Sequence, residues 1–163
     1  MHFAELTLSD ELLYRHYKNS WKTRMVPGSS SSDMPFPDYL QKLEDDKTNK
    51  NGKFVPAKTL FLFDHDVIVG CVQIRYLLTK NLMIEGGNVG YGVHPDFRGL
   101  GYGTKLLEHA LQELKKSGIN EAVLTCDSEN PASRNVILNC HGALNAKYEI
   151  SNVMKERYLI PIK

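Results

Sequence analysis

The chain is poor in cysteine, and its three cysteines, Cys71, Cys126 and Cys140, form an odd set with no Cys-x-x-Cys pair. That excludes a disulfide framework and a zinc knuckle, and it fits a reducing cytoplasm. Charge of one sign is also missing. A formal net charge of +1 leaves no basic excess of the kind that marks a nucleic-acid binder. The six histidines show neither His-Glu-x-x-His nor any paired ligand spacing, so no metal is expected. Long apolar runs are absent too: no window reaches the roughly 18 residues of a membrane span. The start, Met1-His2-Phe3-Ala4-Glu5, lacks a basic segment followed by an apolar stretch. The expectation is a protein neither secreted nor membrane-embedded. No repeat at solenoid spacing is visible.

What is present is an ordinary globular composition, 42% hydrophobic and 24% charged. A length of 163 residues implies one domain, residues 1–163, able to bury a core without disulfides. A strand is expected at Phe3 to Leu8, then a helix from about Asp10 to Arg24 with Ser9 as N-cap. Leu12, Leu13, Tyr17 and Trp21 recur at helical spacing and should face the core. The stretch Pro27 to Asp33 is the one low-complexity segment and reads as a mobile loop, a lid or merely a linker. A second helix, Asp38 to Asp45, ends in the polar run Asp46 to Lys53.

From there the period becomes extended. Thr59 to Phe63 and Val67 to Tyr76 read as a hairpin joined by Asp64-His65-Asp66. A third, glycine-interrupted run extends from Leu82-Met83-Ile84-Glu85 through Gly90-Tyr91-Gly92-Val93, and such glycines mark a bulge or a close approach. A helix follows from Gly103 to Lys116, where Leu106, Leu107, Ala110, Leu111 and Leu114 form one stripe and Gly118 suits the C-cap. Next come a strand, Glu121 to Cys126, a helix from about Pro131 to Cys140, and strands at Ala143 to Ile150 and Arg157 to Ile162. The pattern is mixed α+β: a mostly antiparallel meander feeding one strand–helix–strand parallel unit, with flanking helices.

Between that meander and that helix stands "HPDFRGLGYGTKLLEHALQEL", residues 94–114. A helix N-terminus presents unpaired N–H groups and a positive dipole end, and glycines let a bulky anion approach the backbone. Arg98-Gly99-Leu100-Gly101-Tyr102-Gly103 therefore reads as an anion site, most plausibly for a pyrophosphate. It is not a Walker A loop, which needs Gly-Lys-Ser/Thr, nor a dinucleotide loop, whose third Gly would fall at Thr104.

Arg98-x-x-Gly101-x-Gly103 after a strand ending Val93-His94-Pro95 resembles the Arg/Gln-x-x-Gly-x-Gly/Ala signature of the GNAT superfamily of N-acetyltransferases, and the element order resembles theirs over nearly the whole chain. The resemblance implies a GNAT-like fold and acetyl-CoA as cosubstrate. It implies that backbone N–H groups of Arg98, Gly99, Leu100, Gly101, Tyr102, Gly103 and Thr104 hold the pyrophosphate, and that Tyr91, Gly92 and Val93 pair with the pantetheine amides where their strand splays from the one at Leu124 to Cys126. Asn130 and Ser133 match an Asn-x-x-Ser/Ala pattern expected to touch the cofactor's far arm, although Asn130 could equally cap its helix. The chain departs from the family at Ile137, where many members carry a tyrosine that protonates the leaving thiolate.

Direct acetyl transfer needs a neutral amine, a base, and donors aimed at the carbonyl oxygen that gains charge. The candidate donors are the backbone N–H groups of Gly92 and Val93. The candidate base is Glu85, read as lying upstream on the same strand, with an exposed strand-end carboxylate as the bland alternative. Asp127 is a further carboxylate that could equally form the turn before Asn130, and Tyr91 could line an acceptor pocket or face the core. Cys126 would permit an acetyl-cysteine route only with an activating partner, which nothing near it in sequence supplies. The leading expectation is an acetyl-CoA-dependent transferase acting on a primary amine of a small molecule, peptide or protein. A non-catalytic acyl-CoA-binding or sensing module and a nucleotide-binding domain are the alternatives. An edge strand near the C-terminus could pair with a second copy.

Overall fold

The computed structural model describes residues 1–23, 25–29, 33–49 and 54–163. Its strands are β1 (His2–Ala4), β2 (Ala57–Asp64), β3 (Val67–Arg75), β4 (Val89–Val93), β5 (Glu121–Asp127), β6 (Ala143–Ile150) and β7 (Val153–Pro161). Its helices are α1 (Glu11–Ser20), α2 (Phe36–Asp46), α3 (Lys80–Ile84), α4 (Tyr102–Lys116) and α5 (Pro131–Asn139). The meander forms one sheet in the order β1-β2-β3-β4, and the last three strands form a second in the order β5-β7-β6. The ladders in both are antiparallel. The mixed α+β class and the strand–helix–strand unit, β4–α4–β5, agree with the sequence pattern.

Each face of the first sheet carries its own helices. Tyr14 and Tyr17 of α1 and Phe36, Tyr39 and Leu43 of α2 pack on Phe61, Phe63, Ile68 and Cys71. Leu106, Leu107, Ala110 and Leu114 of α4 and Ile137 of α5 lie in one core with Val72, Ile74 and Val89 and with Leu124, Tyr158 and Ile160 of the second sheet. One continuous core therefore spans both sheets. The apolar stripe of α4 is the i, i+3, i+4 pattern read from its sequence, and the N–H groups of Gly118 and Ile119 cap its last turn by bonding the carbonyls of Lys115 and Leu114.

Several boundaries differ from the sequence reading. The first strand is short because Thr7 begins a turn: the Asp10 carboxylate accepts the Thr7 N–H at 2.7 Å, so Thr7 rather than Ser9 starts the helical segment. Helix α1 stops at Ser20, where Trp21 turns extended, and the expected end at Arg24 lies outside the described residues. Leu12 is 72% exposed, and Tyr14 occupies the core position in its place, spaced three residues from Tyr17. The largest difference is at Leu82 to Glu85. The Thr79 hydroxyl accepts the Leu82 N–H, and this cap turns Lys80–Ile84 into a helix, so β4 begins only at Val89. Strand β7 begins at Val153, four residues before the expected Arg157, because Ser151 and Asn152 form the hairpin turn with positive φ.

Among the described residues, strand-to-strand hydrogen bonding between the two sheets is confined to one residue. Asn88, buried just before β4, donates its backbone N–H to the Val123 carbonyl at 2.7 Å. Its side-chain oxygen accepts the Val123 N–H at 2.8 Å, and its side-chain amide donates to the Arg75 carbonyl at 3.0 Å. One side chain thus stands in for a ladder step on both sides, after which β4 and β5 pair no further. Gly87 allows the approach: it holds φ +61°, and a Cβ there would lie 2.2 Å from the Val123 oxygen.

Helix α5 is fixed by a buried carboxylate. Glu156 accepts bonds from Arg134 at 2.9 Å and 3.2 Å and from the Tyr158 hydroxyl at 2.7 Å, while the Arg134 guanidinium also donates to the Ser128 carbonyl. The Arg134 hydrogen bond holds the Glu156 carboxyl down at about 2.

Gly87→Ala should lower stability by on the order of 2–3 kcal/mol, a Tm fall of roughly 5–10 °C in thermal unfolding. Gly118→Ala, with similar φ but open space around it, should cost less. The Glu156 network contributes stability that is complete above the carboxylate's unfolded pKa and is lost as pH falls from there toward about 2. Glu156→Gln should flatten that limb of a Tm-against-pH profile, and an unchanged acid limb would show that the network carries no such linkage.

Candidate functional site

The loop between β4 and α4 is built for access. Gly99 and Gly101 hold φ +77° and +83°, and nothing lies within 4 Å of where a Cβ on either would stand. Gly101 is the N-cap of α4 and makes no side-chain cap bond. The first intrahelical bond runs from Lys105 N–H to the Gly101 carbonyl, so the N–H groups of Gly101, Tyr102, Gly103 and Thr104 are those the helix leaves open. Gly103 serves a different purpose: a Cβ there would sit 2.8 Å from Val136, so its bareness lets α4 and α5 pack closely. The Tyr102 hydroxyl is turned away to Asp64 at 2.5 Å, tying the helix start to the β2–β3 turn. The Arg98 guanidinium stacks 5.2 Å above the Trp21 ring, and Leu100 is exposed.

Register decides what β4 offers. Arg75 N–H bonds the Asn88 carbonyl and His94 N–H bonds the Val69 carbonyl, so the hydrogen-bonded pairs between β3 and β4 fall at Gly90 and Gly92. The backbone groups of Tyr91 and Val93 point the other way, to the side where β5 departs, and find no partner among the described residues. Of the two candidate donors, Val93 is therefore available, whereas the Gly92 N–H is directed to Cys71. Gly92 is bare for another reason. A Cβ there would meet the Pro27 carbonyl at 2.6 Å and the Trp21 ring at 3.1 Å.

That contact revises the reading of Pro27 to Asp33. Val26 and Ser29 are buried, Tyr39 donates to the Ser29 carbonyl at 2.6 Å, and Cys71 donates to the Pro27 carbonyl at 3.3 Å. Pro27 and Gly28 are thus packed against β4 and Ser29 is tied to Val26 and Tyr39, while Ser30, Ser31 and Ser32 lie outside the described residues.

Across the opening, the Tyr91 hydroxyl lies 2.8 Å from the Ser133 hydroxyl, and burial pushes its phenol up to about 12. Asn130 caps α5, its side-chain oxygen accepting the Ser133 N–H at 3.1 Å. Ile137 is fully buried against Gly142 and presents nothing to the opening.

Glu85 is not on β4. It is the extended C-cap of α3, its side chain is 60% exposed, and it pairs with Lys155 at 3.2 Å. Asp127 reaches the same Lys155 at 2.5 Å, so the structure joins the two carboxylates at one lysine. The Asp127 hydrogen bond in particular raises the Lys155 ammonium above its ordinary value. Burial raises the Cys126 thiol, which speaks against a thiolate nucleophile. His94 accepts the Asp96 N–H and shapes the turn, and burial lowers its pKa.

Sequence reasoning missed Asn88, Trp21 as the cover of Gly92, and Arg75. The glycine-interrupted run was the signal for the first, but nothing local shows which strand an asparagine will meet. A concavity of about 660 Å³, bordered by Glu108, Lys115, Cys140, His141 and Ile160, lies along the later turns of α4, and none of the sequence-predicted site residues borders it.

A profile of the acetyltransferase (GNAT) family matches residues 14–142. Among curated proteins, none matches the chain in sequence. Among solved structures, the chain is similar to an acetyltransferase of the GNAT family from Streptococcus pneumoniae, at 17% identity and TM-score 0.68 over 99% of each chain. It is similar to YncA of Salmonella typhimurium, solved with acetyl-CoA as its cofactor, at 15% identity and TM-score 0.66, covering 99% of this chain and 94% of that one. It is also similar to the ribosomal-protein-S18-alanine N-acetyltransferase of Escherichia coli, at 15% identity and TM-score 0.60, covering 99% and 93%.

Gly101→Val, which forces a β-branched residue to φ +83°, should weaken acetyl-CoA binding at least tenfold in calorimetric titration. Gly118→Val, at φ +79° beyond the other end of the same helix, should leave it unchanged.

Proposed function

Because the chain belongs to the acetyltransferase (GNAT) family, we propose that it moves an acetyl group from acetyl-CoA directly to a primary amine. The observation that carries this reading is the pairing of an open helix N-terminus, Gly101 to Thr104, with an unpaired backbone edge at Tyr91 and Val93. Acetyl-CoA supplies an activated acyl carbon on a thiol leaving group. In the balanced reaction the amine nitrogen bonds the acetyl carbon, the C–S bond breaks, the amine loses one proton and the thiol gains one.

The residues divide this work. Open N–H groups of the loop from Arg98 to Thr104 hold a pyrophosphate, with the positive end of α4 behind them. Tyr91 and Val93 offer the edge to extended amides, and the Val93 N–H donates to the carbonyl oxygen as it gains charge. Asn130 and Ser133 border the far arm. An amine with a pKa of about 10 is mostly protonated at pH 7 and must lose a proton. Glu85 is the candidate base, and Asp127 shares its lysine. Ile137 offers no acid, which is tolerable because a thiol with a pKa of about 8.5 leaves readily as thiolate.

Residues 1–163 act as one domain in this reading. No helix among the described residues is long and apolar enough to cross a membrane, and with three buried free cysteines we place the protein in the cytoplasm. The outer edge of β6 is where a second copy would pair.

Purified protein given acetyl-CoA and a panel of amines should release thiol only when an amine is present. Cofactor binding with no amine-dependent release across the panel would leave the acyl-CoA-binding module as the better reading. Glu85→Gln should lower kcat at neutral pH and recover part of the loss at higher pH, where more amine is neutral.

A further inference from the structure

Arg75, the last residue of β3, is a half-buried cation without an anion. Its Nη1 donates to the Gly86 and Gly87 carbonyls, both at 3.1 Å. Among the described residues its Nε and Nη2 have no partner, and no carboxylate lies within 4.0 Å. Arg15 and Arg134 each hold a carboxylate. Among the described residues Arg98 and Arg157 do not, but Arg98 stacks on Trp21, and Arg157 bonds Asn145 and the Met83 carbonyl and stacks on Tyr148. A guanidinium offers five N–H donors, so most of the capacity of Arg75 is unused, and burying a charge without its partner is costly. Burial alone pulls its pKa below the ordinary value.

The cation is aimed. Arg75 lies opposite Asn88 in the register, and its guanidinium lies over Gly90, where a Cβ would be 3.2 Å from Nη2. Any side chain at 90 would displace it. Gly90 and Gly92 share the face opposite α4 and α5; Trp21 and Pro27 cover Gly92, and Gly28 lies against Tyr91 and the Gly90 carbonyl. The way from the guanidinium toward Val93 therefore runs along the open edge of β4, where Gly90 is partly open to solvent. Along a strand rising about 3.3 Å per residue, Gly90 lies roughly 7 Å before Gly92. A guanidinium–carboxylate contact of about 2.9 Å, one C–O bond of about 1.2 Å and the two bonds, about 1.5 Å each, between a carboxylate carbon and an α-amine add, laid end to end, to about 7 Å.

We propose that Arg75 binds the carboxylate of the acceptor and that the acceptor is an α-amino acid, its amine delivered at the open edge of β4 beside Val93. This rests on the N-acetyltransferase reading above. The planar fork suits a carboxylate.

The test compares serine, O-phosphoethanolamine and ethanolamine, and phenylalanine with phenethylamine, as acceptors for the wild type, Arg75→Gln and Arg75→Lys. Each amino acid should exceed its decarboxylated partner at least tenfold in kcat/KM. Arg75→Gln should abolish that ratio through a KM increase of roughly 30–100-fold, with acetyl-CoA affinity and turnover of the plain amines kept. Arg75→Lys should restore part of it. Equal or better use of the plain amines by the wild type, or a ratio that survives Arg75→Gln, overturns the assignment, and preference for O-phosphoethanolamine over serine replaces carboxylate by phosphate. A binding arm needs no turnover: Trp21, the only tryptophan, lies against Gly92, and its fluorescence with CoA present should respond to N-acetylserine and not to N-acetylethanolamine. No response to N-acetylserine overturns the proposal even if Arg75→Gln fails to fold. Absence of acetyl-CoA binding is a separate result that overturns the parent reading.

Discussion

The fold turns on the junction made by Asn88. A ladder between β4 and β5 would close the central sheet and bury the backbone of β4 on both edges. Asn88 instead satisfies Val123 with its own backbone and side chain and satisfies Arg75 with its amide, so pairing is complete at that point and stops there. Everything distal to it on β4 is open on one edge. That a single side chain can end a sheet without orphaning a buried N–H is what makes an exposed polar edge compatible with a stable core. The core itself is continuous beneath the opening, because α4 and α5 pack on both sheets at once.

The opening has two faces, each controlled by missing side chains. Gly103 admits α5 against α4, which brings Ser133 to Tyr91. On the other face, Gly92 admits Trp21 and Pro27, and Gly90 admits the Arg75 guanidinium. The glycines of the 90–103 region are thus not one motif. Gly99 and Gly101 hold positive φ with open space around them, while Gly90, Gly92 and Gly103 are bare because something from the protein occupies the place.

Charge is distributed with the same division. Glu156 and Arg134 neutralise each other inside and fix α5. Lys155 gathers Glu85 and Asp127 at the end of β5. Arg75 alone of these is left with unfilled donors, at the head of the open strand.

The sequence by itself determined much. Periodicity located six of the seven strands to within a few residues and the stripe of α4, and glycine spacing before a helix located the open loop at the start of α4, because both are local properties of the backbone. It misassigned Leu82 to Glu85, where a Thr79 cap outweighed an apolar run that suited a strand, and with that it misplaced Glu85. It took Leu12 for a core residue because the helix phase depended on where Thr7 and Asp10 started the turn. Only tertiary structure decided that Asn88 meets Val123, that Glu85 and Asp127 share a lysine, that Trp21 covers Gly92, and that among the described residues Arg75 ends without a counter-ion. Those facts are contacts between residues some tens of positions apart, and no pattern along the chain records which polar groups burial will pair and which it will leave waiting.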